Sequence, residues 1–436
     1  MYIQEVKGLR LEIGNIFIDD VQFASETKGC ERVLYINKQE MLKELSSDER
    51  LKSIDIDIAR PGEMVRIMPV KDVIEPRVKV KGPGGIFPGF IGKVDTVGSG
   101  RTNVLKGAAV VTTGKIVGFQ EGIIDMAGVG AEYTPFSKTC NVVLTCEKED
   151  GVDQYGHEEA LRLAGFKAAA YLGKAGIKVV PDEVKTYETL PIHEQVKKYP
   201  NLPKVIYVYM LQSQGLLHDT YVYGTDAKKI LPTFIYPTEV FDGAIVSGNC
   251  VSACDKNPTY VHMNHPIIED LYERDGKDFN FLGCVITNET VYLADKERSS
   301  NYTAKLVELL GADAVIISEE GFGNPDADLV MNCNKIEDKG IKTVLITDEY
   351  AGRDGSSQSL ADSTQKGDAV VTAGNANELI NLPPMEKVIG HIDVADKIAG
   401  GFSKGLKEDG SITAELQVII GATSEVGFGH LTARGY

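Results

Sequence analysis

No two of the seven cysteines form a C-x-x-C pair, and their number is odd. Scattered thiols of this kind speak against a disulfide framework and fit a reducing compartment. No apolar run approaches the length needed to cross a bilayer, and the opening MYIQEVKGLR lacks a signal-peptide core, so a cytoplasmic protein is expected. Positive charge is in short supply, with 46 Lys and Arg against 63 Asp and Glu and a net charge of -17. That balance argues against nucleic acid and anionic membrane surfaces as partners. A phosphate loop is missing too. In the Gly-rich tract from Gly82 to Gly107, Val94 follows Gly92-Lys93 where Ser or Thr should hold a metal, and Phe87 stands where the first glycine belongs. Those glycines read as turns between strands. With no dithiol, flavin or nicotinamide fingerprint, any electrons this chain uses must arrive through a partner.

What is present is an ordinary globular composition, 43% hydrophobic and 25% charged, over 436 residues. That length exceeds one core and predicts two or three domains. Residues 1–150 read as a β-rich domain, with short strands such as LRLEIGNIFI, VLYIN and NVVLTCE between Gly and Pro signals. Residues 151–203 read as a helical connector. In it Leu161, Leu163, Ala164, Ala168 and Leu172 keep helical spacing over 155–173, Gly173 is a stop, and a Pro-containing stretch follows. From 204 to 436 the apolar runs VIYVYML, AIVSGN, FLGCVIT, AVIIS, TVLIT and AVVTAG alternate with helix-like segments. Unbroken runs suit strands buried on both faces, so the fold class is α/β, the β-rich domain being followed by a doubly wound, mostly parallel α/β domain.

In such sheets ligands bind beyond the carboxyl ends of the strands. Polar tails are delivered there at Ser247–Cys250, Thr287–Glu289, Ser318–Gly321, Asp348–Tyr350 and Gly374-Asn375. One tail is unusual. In AIVSGNCVSACDKNPTY, Gly248 allows a sharp bend before Asn249 and Cys250, and a helix starting at Ser252 or after Pro258 would favour a Cys250 thiolate. That cysteine can attack a substrate, or attack the carbonyl of Asn249 and turn the peptide bond into a thioester, after which elimination across Cα and Cβ leaves the sulfur on the Asn249 side and loss of the amine leaves a new chain that begins with a pyruvoyl group. It can also be a small buried side chain. Cys250, Cys254, His262 and His265 form C-x3-C-x7-H-x2-H, but both spacings are short for structural zinc, and the histidines read better as a helix-start pair flanking Pro266. His218-Asp219 is the acid/base candidate elsewhere, for chain cleavage or a substrate proton.

The same stretch resembles the processing site of the pyruvoyl-bearing proprotein of component B in the glycine, sarcosine and betaine reductase family. The likeness continues through GGIFPGFIGKVDTVGSGRT from Gly84, GFQEGIIDMAG from Gly118, YMLQSQGLLHDTYVYG from Tyr209, EEGFGNPDADL from Glu319 and TDEYAGRDGSSQSLAD from Thr347. It implies cleavage between Asn249 and Cys250, with Cys250 becoming a covalent pyruvoyl group that holds the substrate amine as an imine. It implies reductive cleavage of the C–N bond of glycine, sarcosine or betaine, with glycine ranked first. The carboxymethyl group would pass to selenium and on to acetyl phosphate. The implied partners are a selenocysteine-containing subunit of component B and the small selenoprotein component A, with thioredoxin supplying electrons indirectly. On sheet topology, Arg353 is the candidate for the substrate carboxylate, and Glu319, Glu320 and Asp348 line the same edge, the two glutamates facing an ammonium. A non-catalytic scaffold with Cys250 intact, a zinc-stabilised binding protein and a proline-specific pyruvoyl enzyme stay open at this point.

Overall fold

The computed structural model describes residues 8–116, 121–215, 217, 219–248, 257–398, 404–427 and 434–435. The N-terminal half is built on two sheets. The first runs Glu183–Thr189, Leu9–Phe17, Gly100–Lys106, Arg77–Lys81, and the core path of the second runs Gly122–Asp125, Val65–Ile74, Ala108–Thr113, Cys140–Lys148, Leu51–Ala59. All ten residues of Val65–Ile74 are buried. Helix α1 (Gln154–Gly173) covers one side, and its glycines permit the approach: a Cβ on Gly173 would lie 2.1 Å from the Arg77 carbonyl oxygen. The predicted helix over 155–173 is this one.

Two pairings cross the expected boundaries at 150 and 203. Glu183–Thr189 joins the first sheet beside Leu9–Phe17, and Lys387–Gly390 returns from the far end of the chain to pair with Val65–Met68. Arg66 fixes that return. It is fully buried, forks onto Asp125 through Nε and Nη2 at 2.7 and 2.8 Å, and donates from Nη2 to the Pro383 carbonyl at 2.9 Å.

The C-terminal half is a seven-stranded sheet whose five central strands are parallel: β1 (Lys204–Leu211), β2 (Asn280–Asn288), β3 (Ala314–Ser318), β4 (Lys342–Glu349) and β5 (Ala369–Asn375). Their order is β2-β1-β3-β4-β5, with antiparallel Thr233–Ile235 and Arg434–Gly435 at the two edges. This is a doubly wound order in which β2 lies to one side of β1 and the rest to the other, so the switch point falls between β1 and β3. The alternation of VIYVYML explains the two faces. Ile206, Val208 and Met210 pack under α4 (Leu293–Leu309) and α5 (Asn324–Glu337), whereas Val205, Tyr207, Tyr209 and Leu211 join the core shared with α2 (Thr259–Met263), α3 (Pro266–Arg274) and the N-terminal half.

One expected strand is not in this sheet. Ile245–Ser247, taken from AIVSGN as a parallel strand, pairs antiparallel with Thr220–Val222 in a separate three-stranded sheet. Its run of three is too short to read for direction, and the intervening 204–244 segment already supplies its neighbour. Among the described residues, no helix is long and apolar enough to cross a membrane.

Candidate functional site

The site is built where the topology places a crevice, beyond β1 and β3. β3 ends at Ser318 and is followed at once by Glu319 and Glu320, both fully buried. Glu320 gathers four donors. Its Oε2 accepts the Gln212 N–H at 2.8 Å and the Thr220 hydroxyl at 3.1 Å, and its Oε1 accepts the N–H and the side-chain amide of Asn257 at 3.1 and 3.2 Å. The Nε2 of His262 stands 3.6 Å from the same Oε1. The other ring nitrogen, Nδ1, is 2.8 Å from the Tyr209 hydroxyl, which also accepts from Asn257 at 3.2 Å. Tyr209, His262, Asn257 and Glu320 therefore form one closed, buried network drawn from β1, α2 and the tail of β3. Burial raises the Tyr209 phenol well above its ordinary range, keeping it a neutral hydroxyl.

Two further carboxyls support the loop. Glu289 accepts the Glu320 N–H at 2.7 Å, and Glu425 accepts the Gly321 N–H at 3.3 Å. Burial pushes the Glu289 carboxyl well above the usual carboxylate range; the Glu320 N–H opposes this, and the charges of Glu319 and Glu320 add to it. Asp348, at the end of β4, is fully buried on the same edge.

The chain enters and leaves the 249–256 segment here. Asn249, Cys250 and Cys254 lie outside the described residues, but both flanks are fixed. On one side the Gly248 N–H donates to the Asp219 carbonyl at 2.5 Å and the Ser247 N–H to the Thr259 hydroxyl at 2.9 Å. On the other, Asn257 is held by Glu320, and its side-chain oxygen accepts from Ser424 at 3.1 Å. The first described helix after the segment is α2, with Pro258 as its N-cap.

Of the sequence candidates, Glu319, Glu320 and Asp219 are brought to this point. His218 lies outside the described residues. The Asp219 carboxylate shapes its own loop, accepting the Gly215 N–H at 2.7 Å with Lys228 Nζ at 3.6 Å. Arg353 sits in the loop after β4 with its side chain half exposed, and its Nε donates to Glu415 at 3.0 Å. The two histidines of the zinc reading turn to tyrosines: His262 to Tyr209, and His265, the N-cap of α3, to Tyr207 at 3.2 Å. Burial lowers His265 to about 3. Among the described residues no group of three or more His, Cys, Asp or Glu is placed to hold a metal. Sequence reasoning missed Tyr209, Asn257, Thr259, Asp72 and Glu425. Only Tyr209 carried a signal, as one of two tyrosines at i, i+2 in an otherwise aliphatic strand.

A family model described as glycine/sarcosine/betaine reductase component B subunits matches residues 9–434. The glycine reductase complex component B subunits alpha and beta of Acetoanaerobium sticklandii are 71% identical over 430 residues, 98% of this chain and 100% of that protein. The sarcosine reductase complex component B subunit alpha of Peptoclostridium acidaminophilum is 58% identical over 428 residues, again 98% and 100% of the two chains. More distantly, the D-proline reductase proprotein PrdA of Acetoanaerobium sticklandii is 22% identical over 354 residues, covering 75% of this chain and 53% of that protein. No solved structure matches.

Proposed function

The chain belongs to the glycine/sarcosine/betaine reductase component B family, a reductase complex subunit, and on that premise we propose that it is cut between Asn249 and Cys250, carries a pyruvoyl group made from Cys250, and serves the reductive cleavage of the C–N bond of glycine. One observation carries the reading: both flanks of the 249–256 segment are hydrogen-bonded into the switch-point crevice, beside buried carboxyls. The names of relatives support it. One chain of matching length is called subunits alpha and beta, a distant relative is called a proprotein, and identity is higher to the glycine reductase subunits than to the sarcosine one.

The residues present fit a carbonyl group that takes an amine. The crevice is acidic and closed, so an ammonium entering it gains Glu319 and Glu320 as counter-charges in a poorly solvated setting. A pyruvoyl ketone, when present, would act as an electron sink for the substrate nitrogen. Glu289, whose carboxyl burial pushes upward, supplies a proton to the departing nitrogen. Arg353 exchanges Glu415 for the substrate carboxylate, which its planar fork suits. Asp348 adds a further buried carboxyl on the same edge.

Electrons come from outside the chain. Burial pushes the Cys140 thiol up to about 11 and Cys146 up to about 12, and raises Cys284 well above its ordinary value, so none of these is a thiolate at neutral pH. The nucleophile is a selenolate on a partner subunit, which displaces the amine and passes the carboxymethyl group to component A; two electrons from a thioredoxin dithiol then take that group to the acetyl level, and inorganic phosphate accepts it as acetyl phosphate. Replacing Cys250 with Ala tests the first step. Wild type runs on a denaturing gel as pieces of 249 and, by subtraction from 436, 187 residues, whereas the variant stays whole. A wild-type chain that stays whole beside its partner subunit removes the proposal.

A further inference from the structure

The Thr259 hydroxyl makes two hydrogen bonds that join the halves of the protein. It donates its single proton to Asp72 Oδ2 at 2.6 Å and accepts the Ser247 N–H at 2.9 Å. Asp72 is buried on the N-terminal strand Val65–Ile74, 187 residues away from Thr259 in sequence. Its Oδ1 accepts the N–H groups of both Val73 and Thr259 at 2.8 Å. The pairing of that strand with Ala108–Thr113 slips register between Val70 and Asp72. Such bulges re-aim side chains, and here the re-aimed carboxylate meets the start of α2.

We infer that Asp72 is a positioning residue for cleavage of the Asn249–Cys250 bond, acting through Thr259 on the strand that leads into it, so that the chain is cut only once its N-terminal half has docked. The inference rests on the processing reading above. Its logic is directional. Asp72 Oδ2 takes the single Thr259 proton, which leaves an oxygen lone pair of Thr259 for the Ser247 N–H. The next N–H, on Gly248, is held by the Asp219 carbonyl. Two successive amides ahead of Asn249 are thus pinned by two different elements, one reaching back to the N-terminal half. A sulfur that must reach the carbonyl of the residue before it depends on such placement, since a misplacement of about 1 Å costs on the order of 100-fold in rate. Tying the anchor to Val65–Ile74 makes the cut wait for assembly. Premature cutting would release β1 before the strands on either side of it had closed.

Asp72→Asn presents an amide to Thr259, reversing the proton and putting a donor in competition with the Ser247 N–H. Thr259→Val removes the hydroxyl at nearly constant shape, and Thr259→Ser keeps it. The three variants and wild type are made by cell-free synthesis of the full chain with its partner subunit, and conversion to two pieces is timed by intact mass. Urea midpoints of the same substitutions in a Cys250→Ala background report fold. Expected are rates roughly 10- to 100-fold lower for Asp72→Asn and Thr259→Val, and within about twofold of wild type for Thr259→Ser. Wild-type rates in Asp72→Asn and Thr259→Val overturn the inference while leaving processing intact. Equal slowing in Thr259→Ser also overturns it, because packing rather than the hydroxyl would then matter. A wild type that is never cut overturns the processing reading, and this inference with it.

Discussion

Replacing Glu320 with Gln strikes the centre of the switch-point network while preserving its shape. The native carboxylate accepts four hydrogen bonds, two on each oxygen, with no exposure to solvent. A glutamine keeps one accepting oxygen and turns an NH2 toward the other pair of donors. If that pair is Gln212 and Thr220, the hydroxyl can rotate to accept, but the Gln212 N–H is orphaned. If it is Asn257, both of its donors are orphaned. The smaller loss decides the orientation. One hydrogen bond to a charged acceptor, worth about 1.5–3 kcal/mol, is lost, and one buried N–H is left unsatisfied at about 1–3 kcal/mol. The combined destabilisation is about 2.5–6 kcal/mol. Urea unfolding of Cys250→Ala and Cys250→Ala/Glu320→Gln reads it on a single uncut chain, as a shift in midpoint at unchanged slope. The same substitution in the cleavable chain should slow the cut, because Asn257 anchors the downstream flank. A midpoint shift corresponding to under about 0.5 kcal/mol, with normal cutting, would show that the four contacts do not hold the crevice together.

Once cut, the two pieces should co-elute on native size exclusion and separate only in denaturant. The first piece supplies β1 between β2 and β3 of the second, and Lys387–Gly390 pairs back with Val65–Met68, so parting them would strip a central strand. Arg66→Met leaves Asp125 buried without its partner and should cost about 3–5 kcal/mol, most of it recovered when Asp125→Leu is added; urea midpoints of the single and double variants check this. Stability should also fall as pH drops from about 6.5 toward 3. Burial lowers His157 to about 4 and His265 to about 3 from an ordinary 6.5. Above 6.5 both are neutral whether folded or unfolded and contribute nothing, while below it the unfolded chain takes protons the folded one refuses, by up to about 5 kcal/mol for His265. Urea midpoints across that range should slope less in His157→Gln than in wild type.

The parallel core was legible because strands covered on both faces carry largely unbroken apolar runs, as VIYVYML, FLGCVIT, AVIIS, TVLIT and AVVTAG are. The order β2-β1-β3-β4-β5 follows from which strands lie side by side, which a linear pattern does not record. Ile245–Ser247 misled for a related reason, since an apolar triplet reads alike in a parallel sheet and in a small antiparallel one. At the site, Glu319 and Glu320 stood out by following a buried strand directly. Thr259, Asn257 and Asp72 did not, because their roles arise from contacts across long sequence separations, 187 residues for Asp72 and Thr259. His262 and His265 read as a helix-start pair with spacings short for zinc, and the tyrosines of the facing strand that each meets were not legible as their partners.

The most direct test of the central claim is intact mass spectrometry of denatured protein, purified with its partner subunit and without added amines, before and after treatment with phenylhydrazine. Two masses that divide the chain between Asn249 and Cys250, with the carbonyl tag on the 187-residue piece alone, are the expected result. A single mass for the uncut chain, unchanged by the reagent, would contradict the account.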